Sequence, residues 1–271
     1  MTATGTLTIP SRDLSFGEER KRRVEALDQA RRNIRTKRNE AVRARVTAAT
    51  VTLPRLHGQG VLVPGGYIIT ATHCIKWSGE GGMALGDDFV ETVKLPAGRT
   101  FLAAVVSAEP VTDMAVLGAA DTPSLTQDSD AFEFFAKQIR GVPLFPFPLS
   151  VGEFLPVQLL THKGTWTTGV ATRYGFPEDP PGGTLTIHTS APLRDGTSGG
   201  PVVDFAGRLV GVVSWASETV DEDGTYCGSI PLAWQALPRW LADRIVGALE
   251  PPPAEAKLEK VKKSARKPKQ K

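Results

Sequence analysis

Gly196-Thr197-Ser198-Gly199-Gly200-Pro201 is the stretch that decides how this chain of 271 residues is read. It holds a serine in a glycine-rich turn. A serine hydroxyl is a poor nucleophile at neutral pH, and it needs a base for its proton and donors for the oxyanion its attack creates. Glycines let the backbone bend so that N–H groups point inward. The stretch therefore requires a histidine and a carboxylate elsewhere. Working outward, Ile69-Thr70-Ala71-Thr72-His73-Cys74 closes an apolar run that begins at Gly66-Tyr67-Ile68, and Thr112-Asp113-Met114-Ala115-Val116-Leu117 supplies the carboxylate. The order along the chain is His73, Asp113, Ser198.

Three blocks, Ala71 to Cys74, Asp113 to Leu117, and Gly196 to Pro201 followed by Leu209-Val210-Gly211-Val212-Val213-Ser214-Trp215, resemble the trypsin-like (chymotrypsin-fold) serine peptidases over residues 48–245. The Asp-x-Ala-Val-Leu form of the second block is similar to that of bacterial Deg/HtrA-type protease domains. The resemblance implies an all-β fold of two antiparallel six-stranded β-barrels, with His73 and Asp113 on the first and Ser198 on the second. It implies a His73 base oriented by Asp113, and an oxyanion hole from the backbone N–H groups of Gly196 and Ser198. It makes Ser214-Trp215-Ala216 an edge strand for the substrate backbone, with the Ser214 hydroxyl supporting Asp113. The base of the primary specificity pocket falls at Pro192 and Leu193, with Ala216 and Gly228 as small lining residues. No carboxylate stands there, so cleavage is expected after small or medium apolar residues. Where the digestive enzymes carry an aspartate that pairs with a newly cut N-terminus, this chain has Thr197, so activation by N-terminal insertion is not expected.

The texture around these blocks agrees with a β fold. Short runs such as Gly60 to Val63, Tyr67 to Thr70, Phe101 to Val106, Pro156 to Leu160, Thr165 to Val170 and Leu185 to Ile187 alternate with Gly and Pro. The Pro-rich segment from Gly141 to Leu149 marks the crossing between barrels. Ser15 and Glu18 have capping-box spacing, which predicts a helix running to about Arg45 with a thin apolar stripe at Val24, Leu27, Ala30, Ile34, Ala41 and Val42. A final helix is expected from Pro238 to Leu249, with Leu241, Ile245 and Leu249 on one face. The organisation is thus a basic helical extension (1–47), a protease domain (48–250) and a basic tail (251–271) expected to be disordered. With 21 residues after Glu250, a PDZ domain is not expected.

Charge divides the same way. Residues 12–46 hold 12 Lys/Arg and 6 Asp/Glu, and residues 251–271 hold 8 and 2, so each end carries +6. Residues 47–250 hold 12 Lys/Arg against 21 Asp/Glu, a net −9. The basic ends could pack on the acidic body, or engage a protein partner or a polyanion. No run reaches the roughly 18 apolar residues of a membrane span. Met1 to Pro10 lacks an apolar leader core, and Cys74 and Cys227 read as reduced thiols, because Gly58-Gln59-Gly60 offers no cysteine where extracellular relatives bridge to the position of Cys74. Together these point to the cytoplasm. His57, His162 and His188 lie in no motif; no histidine–cysteine spacing predicts a metal site, and no cofactor is implied. The expected function is a serine endopeptidase acting on a protein or peptide; the alternatives are a catalytically silent binding module and a latent protease recruited by a partner.

Overall fold

The computed structural model describes residues 16–33, 37–76, 89–174, 184–221 and 224–247. Two helices lead in, α1 (Phe16–Asn33) and α2 (Lys37–Ala49). The chain then forms β1 (Thr50–Leu53), β2 (Gly58–Val63), β3 (Tyr67–Thr70), β4 (Val90–Lys94), β5 (Thr100–Glu109) and β6 (Met114–Gly118), and these close into a barrel in the order β1-β2-β3-β6-β5-β4. All ladders are antiparallel, and Thr52 opposite Lys94 seals the ring. Val61, Ile69, Val93, Ala103 and Leu117 fill it and are fully buried. Helix α3 (Thr126–Gln138) sets Phe132 and Phe135 against Phe101 of β5.

The segment from Gly141 to Leu149 stitches the two halves. Val142 N–H donates to Leu62 O of the barrel at 2.8 Å, and Phe145 N–H donates to Leu209 O at 2.8 Å. Beyond it lie β7 (Phe154–Leu160), β8 (Trp166–Thr172), β9 (Thr184–Thr189), β10 (Pro201–Asp204), β11 (Leu209–Val212), β12 (Trp215–Val220) and β13 (Tyr226–Pro231). They form a seven-stranded sheet, β11-β10-β7-β8-β9-β13-β12, rather than a ring of six. The difference has a local cause. Residues 209–220 are one continuous run that begins at one edge as β11, turns away at Val213, and reaches the opposite edge as β12. The sheet curls so that Gly211 of β11 bridges to Leu232, just past the end of β13. Inside the curl lie Val157, Leu159, Leu185, Ile187, Val202 and Ile230. The short α4 (Ala233–Ala236) and α5 (Arg239–Gly247) follow, with Leu241 and Ile245 buried; Leu249 lies outside the described residues.

α1 lies against β7 and β8, and α2 against β2. Of the single helix expected from Ser15 to Arg45, the described residues hold α1 and α2; Ser15 and residues 34–36, Ile34 among them, fall outside them. Two cations of α2 are used internally. Arg43 Nε donates to Gln158 Oε1 at 2.9 Å and its guanidinium lies 5.4 Å from the Trp166 ring centroid, while Arg45 donates to Gly207 O at 2.8 Å. Gln158, fully buried, donates in turn to Asn39 Oδ1 at 2.7 Å. The tail from 251 onward also lies outside the described residues. Among the described residues, no helix is long and apolar enough to cross a membrane.

Candidate active site

His73 sits in a single 3-10 turn, Thr72–Cys74, where β3 leaves the barrel. Asp113 precedes β6, the neighbour of β3, so the sheet register brings the two side chains together. His73 Nδ1 is 2.8 Å from Asp113 Oδ2, and the His73 amide donates to Asp113 Oδ1 at 3.0 Å. The Ser214 hydroxyl donates to the same Oδ2 at 2.6 Å. Asp113 itself is held at φ +56°, a conformation uncommon outside glycine, and its carbonyl accepts from Thr72 N–H at 3.2 Å. Both carboxylate oxygens are thus committed. Burial pushes the Asp113 carboxyl up, but the hydrogen bonds from His73 and Ser214 outweigh it and hold it below the ordinary value. The hydrogen bond to Asp113, with Cys74 beside the ring, raises the His73 imidazole above 6.5.

Ser198 comes from the other half of the molecule and is half-buried. Its carbonyl accepts from Gln59 N–H of β2 at 2.8 Å, which ties the serine turn to the barrel. Gly199 N–H donates to Val213 O at 2.7 Å, and Val213 N–H donates to Gly200 O at 3.0 Å. A methyl on Gly199 would overlap Gln59 O and Thr70 Oγ1, so this turn fits against the barrel only as glycine. Thr197 N–H donates to Arg194 O at 3.1 Å, closing a four-residue turn in which Gly196 has φ +84°. Asp195 is not among the positive-φ residues, so the turn is type II. In a type II turn the central peptide, here Asp195–Gly196, faces opposite to its direction in a type I turn. Among the described residues, no hydrogen bond links Ser198 Oγ to the His73 ring.

The trypsin-like peptidase domain profile matches residues 58–212, more than half of the chain, and the match contains His73, Asp113 and Ser198. This chain belongs to the trypsin-like peptidase family. A probable periplasmic serine endoprotease, DegP-like, from Chlamydia pneumoniae is 27% identical over 200 residues, 72% of this chain and 34% of that protein. The uncharacterized protein y4bJ of Sinorhizobium fredii is 29% identical over 153 residues, 55% of this chain and 20% of that protein. The chain therefore spans about a third or less of the length of these curated relatives. Among solved structures, the inactive form of the Rv3671c protease from M. tuberculosis is 21% identical, with 78% of this chain and 94% of that chain covered and a TM-score of 0.47. The serine endoprotease from Yersinia pestis is 24% identical, with 78% and 67% covered and a TM-score of 0.47.

Within this trypsin-like domain, Trp215 and Ala216 lie on β12, the edge strand of the sheet, and the Trp215 side chain is 59% exposed. Ser214 N–H donates to Ser229 O at 3.0 Å, which leaves the outer side of β12 without a neighbouring strand among the described residues. Gly228 faces Ala216 across the β12–β13 ladder, and a methyl there would meet Trp215 O at 2.6 Å. Pro192 is half-buried, whereas Leu193 is buried in the core of the sheet with Ile187 and Val213. Sequence reasoning passed over His57 and His162. Both flank Gly196, with the His162 ring 3.3 Å from Thr197 Oγ1, and with Gln59 and Asp195 they line a recess of about 420 Å³. No motif announces them; only the folding of their two loops onto the serine turn brings them there. His188 is not in the cleft. It alternates with Leu185 and Ile187 on β9, so it faces the outer surface of the sheet, where it is buried beside Tyr174. Burial, with Arg23 of α1 nearby, pushes its imidazole down to about 4.

Proposed function

We propose that this chain is a serine endopeptidase that uses Ser198 as nucleophile, His73 as base and Asp113 as the residue orienting His73. The observation that carries the reading is the Asp113 carboxylate, which accepts from the His73 amide and the Ser214 hydroxyl while facing His73 Nδ1 at 2.8 Å. That arrangement presets the tautomer in which Nδ1 carries the proton and Nε2 has a free lone pair. A peptide pairs with the open edge of β12 and presents its carbonyl to Ser198. As Oγ attacks, its proton passes to His73 Nε2, and Asp113 stabilises the imidazolium. The contact between Oγ and the ring tightens as the substrate excludes water from the cleft. The Gly196 and Ser198 N–H groups receive the oxyanion, and the type II turn supports a hole formed at rest. His73 then returns the proton to the leaving amine, leaving an acyl-enzyme, and a water enters by the reverse path.

The small residues Ala216 and Gly228 facing each other across the β12–β13 ladder, with no carboxylate at Pro192 or Leu193, support cleavage after small or medium apolar residues. Both cysteines are free thiols, Cys74 buried and Cys227 half-buried, which supports a reducing compartment, the cytoplasm, for the enzyme. Digestion of an unfolded protein substrate, read by mass spectrometry of the products, tests the reading. Fragments ending in Ala, Val or Leu and absent with Ser198→Ala support it. An intact substrate under conditions where the chain is folded contradicts it.

A further inference from the structure

Three ligand-bearing atoms meet on the outer face of the second sheet, away from the cleft. Cys227 Sγ lies 3.5 Å from His188 Nδ1 and 3.4 Å from Asp221 Oδ2, and those two lie 3.5 Å from each other. They are the same three atoms each time, so they form a near-equilateral triangle. A tetrahedral zinc ion with ordinary Zn–N, Zn–O and Zn–S lengths holds such ligand atoms about 3.3–3.6 Å apart. We propose that His188, Asp221 and Cys227 form a site for one zinc-type divalent cation.

The donor set favours that class. One imidazole, one carboxylate and one thiolate suit zinc, whereas calcium and magnesium take oxygen donors. The ligands are also already oriented by groups behind them. His188 and Cys227 are directly opposed on β9 and β13, and the outer ring nitrogen of His188, Nε2, pairs with Tyr174 Oη at 3.0 Å. With Nε2–H donating to Tyr174, the Nδ1 lone pair faces the other two ligands. Asp221 Oδ1 accepts from Thr225 N–H at 2.8 Å, and Oδ2 accepts from Thr225 Oγ1 at 2.7 Å, so the turn between β12 and β13 fixes the carboxylate. Thr225 Oγ1 is 3.4 Å from His188 Nδ1, beside the triangle, and a water or that hydroxyl completes the fourth position. Arg23 of α1 adds a positive charge nearby, but the carboxylate and the thiolate bring two negative charges, enough to neutralise the ion. On binding, the ion exchanges three waters for the three ligands, the Cys227 thiol gives its proton to solvent, and no electron is transferred. The ion would fasten the turn that carries β12 to β9.

The test is zinc and cobalt binding to the full chain at pH 8, followed by native mass spectrometry and by competition with a chromophoric chelator. It is independent of peptidase activity. One ion per chain and a thiolate-to-cobalt charge-transfer band are expected. Cys227→Ser and Asp221→Asn, both at partly exposed positions, should each weaken zinc binding roughly hundredfold while leaving the chain folded. A chain that retains no zinc overturns the proposal, as does zinc retained equally by wild type and Cys227→Ser.

Discussion

Gly196→Ala tests the turn that, in the proposed mechanism, aims the oxyanion donors. At φ +84° a Cβ costs about 1–2 kcal/mol of backbone strain. The added methyl would also lie 3.3 Å from both His162 Cβ and His57 O, so neither neighbouring loop gives it free room. The turn can relieve both by rotating the Asp195–Gly196 peptide into a type I turn, which needs no positive φ and retains the Thr197 to Arg194 hydrogen bond. That rotation points the residue-196 N–H out of the hole. Loss of one such donor costs about 3–4 kcal/mol of transition-state stabilisation, or a fall in kcat of about 10²–10³. A ground-state carbonyl gains little from the hole, so KM should change by less than about threefold. Steady-state kinetics on a peptide substrate, beside a thermal melt, measure both effects. A kcat within about threefold of wild type in a folded variant would refute the reasoning, as would an effect confined to KM.

Ser214→Ala removes the 2.6 Å hydrogen bond to the Asp113 carboxylate, a charged bond of about 1.5–3 kcal/mol, and should lower kcat/KM about 10–100-fold without unfolding the chain. The His73–Asp113 pair sets the pH profile. Because His73 is raised above 6.5, it stays protonated over a wider range, so activity should fall on the acid side from a pH above 6.5, and Asp113→Asn should move that limb downward in a kcat/KM titration. In unfolding measurements the raised His73 stabilises the fold below 6.5 and loses that contribution as pH rises through its folded value. The depressed Asp113 stabilises it above 3.8 and loses that as pH falls through its own folded value. Asn39→Ala leaves the buried Gln158 amide without its acceptor and should cost about 1–3 kcal/mol in urea unfolding.

The pairing of His73 with Asp113 and the Ser214 bond were legible in the sequence because each residue sits in a short block whose identity and order are tied to the chemistry. The β-runs were legible for a related reason: strands such as Tyr67–Thr70 and Met114–Gly118 are nearly continuous apolar segments bounded by turn residues. Helix α3 was missed, although Ala131, Phe132, Phe135 and Ala136 recur at helical spacing, because the segment lies in the connection between the two halves, outside every block. The thin apolar stripe of the leading helices did not reveal where they dock. Arg43 and Arg45 look like solvent-facing cations in sequence, but their partners, Gln158 and the Gly207 carbonyl, are more than a hundred residues away. The same long-range pairing hid the cluster of His188, Asp221 and Cys227. Its spacing matches no metal motif, and only the register of β9 against β13 brings His188 opposite Cys227.

The most direct test of the central claim is intact-mass labelling of the folded chain with a fluorophosphonate, a probe that reacts only with an activated serine. The account predicts a single adduct on wild type and none on Ser198→Ala or His73→Ala. A folded wild-type chain that takes up no probe, or an adduct that persists in Ser198→Ala, would contradict it.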